Sequence, residues 1–148
     1  MSDPLYFAYG SNLDADQMSE RCPGSRVRFR ARLPHHRLDF THYSIRWSGG
    51  AADVVPQNGS IVWGVVYQRV NLQELDRFES GYERILLRVL DDGDGLHDVI
   101  SYSVRDKSRF PPSDAYLAKL LRWAERWEFP EDYLNQLRPP TRSRRPPR

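Results

Sequence analysis

Ser60 to Tyr67 reads Ser-Ile-Val-Trp-Gly-Val-Val-Tyr, an almost unbroken apolar run. A half-exposed strand would alternate apolar and polar residues. Eight residues without that relief suit a strand covered on both faces. The surroundings say what covers it. Further strand patterns fall at 5–10, 26–33 and 37–45, with a short one at Ala51 to Val55 ended by Pro56. Tyr82 to Leu90 and Asp98 to Val104 alternate as a pair joined by an Asp-Asp-Gly-Asp-Gly turn. Helical patterns come at intervals. One spans Asp14 to Arg21. Another covers 71–79, with Asn71 as N-cap and Glu74 completing a capping box. Pro111-Pro112-Ser113 opens the strongest, whose Tyr116, Leu120, Trp123, Ala124 and Trp127 repeat at helical spacing. A last short helix starts at Pro130 and turns Tyr133, Leu134 and Leu137 inward. Strands dominate the middle without strict β-α alternation. The expected class is α+β, a mixed sheet curled into a small barrel with helices packed outside.

The N-terminal stretch Leu5-Tyr6-Phe7-Ala8-Tyr9-Gly10-Ser11-Asn12-Leu13 carries the strongest hint of function. An apolar strand stops at Gly-Ser-Asn and a charged helix follows. Such a turn leaves backbone N–H groups free at the helix start, where the dipole favours an anion. Gly10 lets the backbone approach a ligand closely. The bland alternative is that Ser11 or Asn12 merely caps the helix.

Charge divides the chain in two. The formal net charge is +2, yet residues 138–148 hold five arginines, four prolines and no acid, so the body before them is −3. The expected division is a globular domain over 1–137 and a basic, Pro/Arg-rich, solvated tail over 138–148. No aromatic interleaves those arginines, so a weak polyanion contact is the most the tail supports. No apolar run approaches the roughly 20 residues that span a bilayer, and Met-Ser-Asp-Pro does not open like a signal peptide. The lone Cys22 makes no intrachain disulfide, which suits a reducing cytoplasm. His35-His36 lack further ligands at useful spacing, so neither a metal nor a cofactor is expected.

The string Tyr-Phe-Ala-Tyr-Gly-Ser-Asn-Leu (Tyr6–Leu13) closely resembles the N-terminal signature of the γ-glutamylcyclotransferase family. The resemblance runs over about residues 5–137. Trp47-Ser48-Gly49-Gly50-Ala51 looks like its Trp-x-Gly-Gly-x segment, and Val62-Trp63-Gly64-Val65-Val66 looks like its Val-Trp-Gly-Val-Val strand. Leu75-Asp76-Arg77-Phe78-Glu79, followed by Gly81-Tyr82, is similar to the segment that ends in the catalytic glutamate. Pro112-Ser113-Asp114-Ala115-Tyr116 resembles the start of a late helix. Members cleave γ-glutamyl amides by cyclisation, giving 5-oxoproline and a free amine or amino acid.

The resemblance implies that Glu79 is the general acid and base. It implies that Tyr6, Phe7, Ala8, Tyr9, Gly10, Ser11 and Asn12, with Tyr82 and Tyr116, bind a small γ-glutamyl substrate. The nucleophile would be the substrate's own α-amine, so few protein groups are needed. The proton transfer sets the difficulty: an α-ammonium near 7.7 facing an ordinary Glu near 4.3 is about 5 kcal/mol uphill. Burying the carboxyl among aromatics would narrow that gap. Glu74, Asp76 and Glu83 compete for the role. The compact Glu79-Ser80-Gly81-Tyr82 link departs from members with a longer loop, which bears on the pocket wall. A binding module that grips a γ-glutamyl or other small anion without turnover is the alternative. Homodimerisation and the identity of the leaving amine stay open.

Overall fold

The computed structural model describes residues 4–138. Apart from Arg138, the expected tail of 138–148 therefore lies outside the described residues. Five strands close into a barrel in the order β1-β3-β2-β4-β5. They are β1 (Tyr6–Ala8), β2 (Arg26–Ser44), β3 (Gly49–Gln68), β4 (Tyr82–Leu90) and β5 (Leu96–Val104). Every pairing is antiparallel except β1 with β5, which is parallel and seals the barrel. The sheet is thus mixed, as the sequence pattern implied. Helices α1 (Ala15–Arg21), α2 (Leu72–Asp76), α3 (Asp114–Arg126) and α4 (Glu131–Leu137) lie outside it.

The apolar run at 60–67 forms the second half of β3, with β1 on one side and β2 on the other. Val62, Val65, Val66 and Tyr67 are all buried, as a doubly covered strand requires. The four shorter strands expected at 26–33, 37–45, 51–55 and 60–67 are in fact two long ones. Pro34 pairs with Ile61 and His36 with Pro56, so residues 57–60 bulge from the ladder opposite His35. Both prolines flank this bulge, where the missing N–H breaks no regular ladder bond. The sequence breaks were real, but the chain resumes the same sheet.

Two contacts of the fold bear directly on the cavity. A Cβ on Gly50 would sit 1.9 Å from the Phe110 carbonyl oxygen. Only glycine lets the 110–113 segment lie on β3, where the Gly50 N–H donates to the Pro111 carbonyl at 3.0 Å. That contact sets the start of α3, whose Ser113 Oγ accepts from the Tyr116 N–H at 3.2 Å. Gly81 has φ +86, a left-handed turn that a side chain would strain. It joins the loop after α2 to β4.

Helix α2 is shorter than expected and ends at Asp76. Asn71 does cap it, accepting from the Glu74 N–H at 3.2 Å. The capping box is incomplete, because the Asn71 N–H donates to Cys22 Sγ at 3.2 Å and Glu74 pairs with Arg77. Cys22 is fully buried in that contact.

Candidate active site

A cavity of about 350 Å³ opens where the β1 turn, the end of α1, the β2–β3 hairpin tip, the loop after α2 and the start of α3 converge. Tyr6, Tyr9, Gly10, Ser11, Asn12, Tyr82 and Tyr116 line it, together with Glu79. Phe7 and Ala8, expected among the binding residues, do not. Strand alternation turns Phe7 away from Tyr6, and its ring packs where a Gly64 side chain would be. Ala8 is a covered core methyl.

The β1 turn differs from a simple strand-to-helix junction. A 3-10 turn, Ser11–Leu13, intervenes, closed by the Leu13 N–H donating to the Gly10 carbonyl at 2.9 Å. Neither Ser11 nor Asn12 caps α1. Asp14 does, accepting from the Asp16 and Gln17 N–H groups at 2.9 and 3.0 Å. An acid at that position leaves the start of α1 no use as an anion site. The N–H groups of Gly10 and Ser11 find no acceptor among the described residues and stay available to a ligand. Ser11 Oγ and Asn12 Oδ1 each accept from Gln17 Nε2 at 2.9 Å, and Asn12 Nδ2 donates to the Tyr6 hydroxyl at 3.0 Å. These bonds hold the turn against α1.

Ala52 of β3 fixes two of the phenols. Its N–H donates to the Tyr116 hydroxyl at 2.9 Å, and its carbonyl accepts from the Tyr82 hydroxyl at 2.7 Å. Tyr9 donates to the Tyr102 carbonyl at 2.6 Å, and Tyr102 donates to Asp76 Oδ1 at 2.6 Å. Burial raises the pKa of each phenol, that of Tyr116 to about 12, so all are neutral donors near pH 7.

Glu79 lies just past α2, three residues before β4 begins. Its pKa is raised to about 7. Desolvation by the surrounding side chains is the main cause. The Arg21 guanidinium pulls the other way, and Asp76 adds to the rise. No hydrogen-bond donor among the described residues contributes to that balance. Glu79 is also the only acid lining this cavity among the described residues. Glu74 pairs with Arg77, Asp76 with Arg84, and Glu83 is exposed on a neighbouring depression. None of these three acids lines this cavity.

Sequence reasoning missed two cations. Arg21, at the end of α1, lies over the Phe78 ring at 4.8 Å and donates to Asn12 Oδ1 at 3.3 Å. Arg46, at the hairpin tip, lies 5.6 Å from the Trp47 ring. Both line the cavity. Neither pairs with a carboxylate among the described residues, and no local pattern separates them from the chain's other arginines. Tyr102 is buried and lines the cavity too. Among the described residues no group of three His, Cys, Asp or Glu side chains gathers as a metal site. No helix there is long and apolar enough to cross a membrane.

The sequence model of the AIG2-like family matches residues 61–137. The gamma-glutamylcyclotransferase of Mus musculus is 32% identical over 144 residues, covering 90% of this chain and 77% of that protein. The gamma-glutamylcyclotransferase of Homo sapiens is 33% identical with the same coverage. A solved structure described as a gamma-glutamyl cyclotransferase superposes with a TM-score of 0.85 at 32% identity, covering 91% of this chain and 86% of that one.

Proposed function

Because this chain belongs to the γ-glutamylcyclotransferase family, we propose that it releases 5-oxoproline and a free amine or amino acid from a γ-glutamyl amide, with Glu79 as general acid and base. One observation carries the assignment of Glu79. It is the sole acid of the cavity among the described residues, and its pKa is raised to about 7. Against an α-ammonium near 7.7, the transfer that would be about 5 kcal/mol uphill for an ordinary glutamate becomes about 1 kcal/mol uphill.

The steps balance without a cofactor. Glu79 takes a proton from the substrate α-ammonium. The freed nitrogen attacks the γ-carbonyl carbon and closes a five-membered ring. The bond from that carbon to the amide nitrogen then breaks. The α-nitrogen gives up two protons in all and the leaving nitrogen ends with two more. A carboxyl that cycles between its two forms can relay them.

The cavity holds the folded-back conformer, which by itself is worth several kcal/mol in a ring closure. The free N–H groups of Gly10 and Ser11 face a substrate oxygen, either the α-carboxylate or the developing oxyanion. The Tyr6 and Tyr116 hydroxyls accept from Asn12 and Ala52. Each therefore keeps its own O–H to donate. Burial away from the cytoplasmic water that this reading assumes keeps these donors effective.

Incubating the purified protein with a panel of γ-glutamyl amides and measuring 5-oxoproline tests the proposal. Release from at least one member is expected. Tight binding with no release from any would leave a binding module instead.

A further inference from the structure

Gln17 is a buried polar side chain to which the chemistry at Glu79 gives no part. It sits in the first turn of α1, with its amide against the turn that follows β1. Both hydrogens of Nε2 are engaged there, one on Ser11 Oγ and one on Asn12 Oδ1, each at 2.9 Å. Its Oε1 accepts from Lys119 Nζ of α3. The amide fits in one orientation only. Turned over, it would set an NH2 group against the Lys119 ammonium and an oxygen against Asn12 Oδ1. Lys119, half-buried and paired with Asp14 at 3.3 Å, thus decides which way Gln17 faces.

The backbone of the turn has anchors of its own. The Asn12 carbonyl accepts from the Tyr67 hydroxyl at 2.7 Å, and the Leu13 carbonyl from Trp127 Nε1 at 2.9 Å. What Gln17 settles is where the protons of the turn point. Ser11 Oγ accepts from Gln17 and keeps its own O–H, which finds no acceptor among the described residues. Asn12 Oδ1 accepts from Gln17 and Arg21, so Asn12 Nδ2 faces the Tyr6 hydroxyl and donates to it at 3.0 Å. That hydroxyl keeps its O–H too, again with no acceptor among the described residues. Ser11 and Tyr6 both line the cavity. One hydrogen-bonded chain therefore runs from an ammonium on α3 to two hydroxyl hydrogens left for a ligand.

We propose that Gln17 and Lys119 are positioning residues for the cyclisation: Lys119 orients the Gln17 amide, and Gln17 turns the Ser11 and Tyr6 O–H groups toward the oxygens of the γ-glutamyl group. This role rests on the cyclotransferase reading above and lies apart from the proton transfer at Glu79. Neither residue touches the reacting atoms. Both act through the hydroxyls they direct.

Gln17→Glu reverses the chain without emptying it. A carboxylate offers only acceptors. Ser11 then donates toward α1 instead of the cavity. Asn12 meets the carboxylate only by swinging Nδ2 away from Tyr6, which draws the Tyr6 O–H onto Asn12 Oδ1. The fold should tolerate this change. Lys119 is in place to balance the charge, and an acid in the first turn of a helix is favoured by the dipole. Gln17→Met is the opposite case. It keeps the bulk, takes a partner from both Lys119 and Asn12, and leaves the Ser11 O–H free to turn either way.

The test measures melting temperature and kcat/KM for 5-oxoproline release by the full chain. The substrate is γ-glutamyl-alanine, or the fastest member of the panel above if that is another. Opposite rankings are expected. Turnover efficiency should fall about 10- to 100-fold in Gln17→Glu, the order for losing a donor to a charged oxygen, and by less in Gln17→Met. The melting temperature should fall more in Gln17→Met than in Gln17→Glu. A purely structural Gln17 would rank the two variants alike in both measurements, and that result overturns the proposal. Unchanged kcat/KM in Gln17→Glu does the same. Lys119→Met frees the amide to turn and should lower kcat/KM about 3- to 10-fold, with nothing further lost when it is combined with Gln17→Met. Additive losses in that pair take Lys119 out of the relay. Each of these failures, seen beside an active wild type, leaves the cyclotransferase reading standing. A wild type that releases no 5-oxoproline from any member of the panel removes both.

Discussion

Replacing Glu79 by glutamine should remove turnover and, above neutral pH, make the protein more stable. Both effects follow from the same desolvation. Each pKa unit is worth about 1.4 kcal/mol. A carboxyl moved from its ordinary 4.5 to about 7 therefore destabilises the ionised native state by about 3 kcal/mol at the most. Water reaches this cavity and screens the charge, which brings the expected figure to about 1–2 kcal/mol. The sign is fixed by linkage. Between pH 4.5 and 7 the unfolded chain has released the proton while the native state still holds it, so stability falls as pH rises. Glutamine keeps the shape and has no proton to release. Thermal unfolding of both proteins at pH 5 and pH 8.5 isolates this effect. The melting temperature of Glu79→Gln relative to wild type should rise by about 3–8 °C between the two pH values. Turnover in the same variant should drop about 10²–10⁴-fold. Parallel melting curves at the two pH values would mean that Glu79 titrates as an ordinary surface carboxyl. Near-normal turnover would take it out of the proton transfer.

Three further outcomes are expected. In Arg21→Gln the acid limb of the kcat/KM–pH profile should move to higher pH, because Arg21 holds the Glu79 pKa down; in Asp76→Asn it should move to lower pH. Shifts of the same sign in both variants would contradict that charge balance. A Cβ on Gly10 would lie 3.3 Å from Ala52 Cβ and 3.4 Å from the Tyr116 hydroxyl, so Gly10→Ala should lower kcat/KM by about 3- to 10-fold through displacement of that phenol, measured with the melting temperature held as a control. Lys107 pairs with the fully buried Asp53, which also accepts from Thr41 and Ser103. Lys107→Met should cost about 1–3 kcal/mol, less than a bare buried charge because those bonds remain, and urea unfolding measures it.

The barrel was legible because its signals are local and strong. The apolar run at 60–67 needs cover on both sides, and the alternation at 82–90 marks β4 at both ends. The length of β2 and β3 was not legible. Pro34 and Pro56 look like strand ends in sequence, and only the pairing across the bulge shows the ladder resuming. The site divides the same way. The Gly-Ser-Asn turn and Glu79 sit inside distinctive strings. Asp14 as the true cap of α1 was missed because a 3-10 turn separates Gly10 from the helix, which starts at Ala15. Arg21 and Arg46 reach the cavity from α1 and the hairpin tip, 25 positions apart. Their meeting depends on barrel closure, which no window of sequence encodes.

The raised pKa of Glu79 has a cause that composition alone would contradict. Six tyrosines line the cavity, Tyr43 at its exposed edge, and a carboxylate ringed by phenols should find donors and acidify. Here the hydroxyls of Tyr9 and Tyr82 donate to backbone carbonyls, and that of Tyr102 donates to Asp76. Tyr6 and Tyr116 are held by Asn12 and the Ala52 N–H. The rings therefore shield Glu79 from much of the surrounding water, and the O–H groups of Tyr9, Tyr82 and Tyr102 are committed elsewhere. Arg21 offers the one opposing charge named in that balance, and desolvation outweighs it. A surface rich in hydroxyls thus behaves toward this carboxyl as an apolar one, which is what leaves Glu79 poised to exchange a proton with an amine near neutral pH.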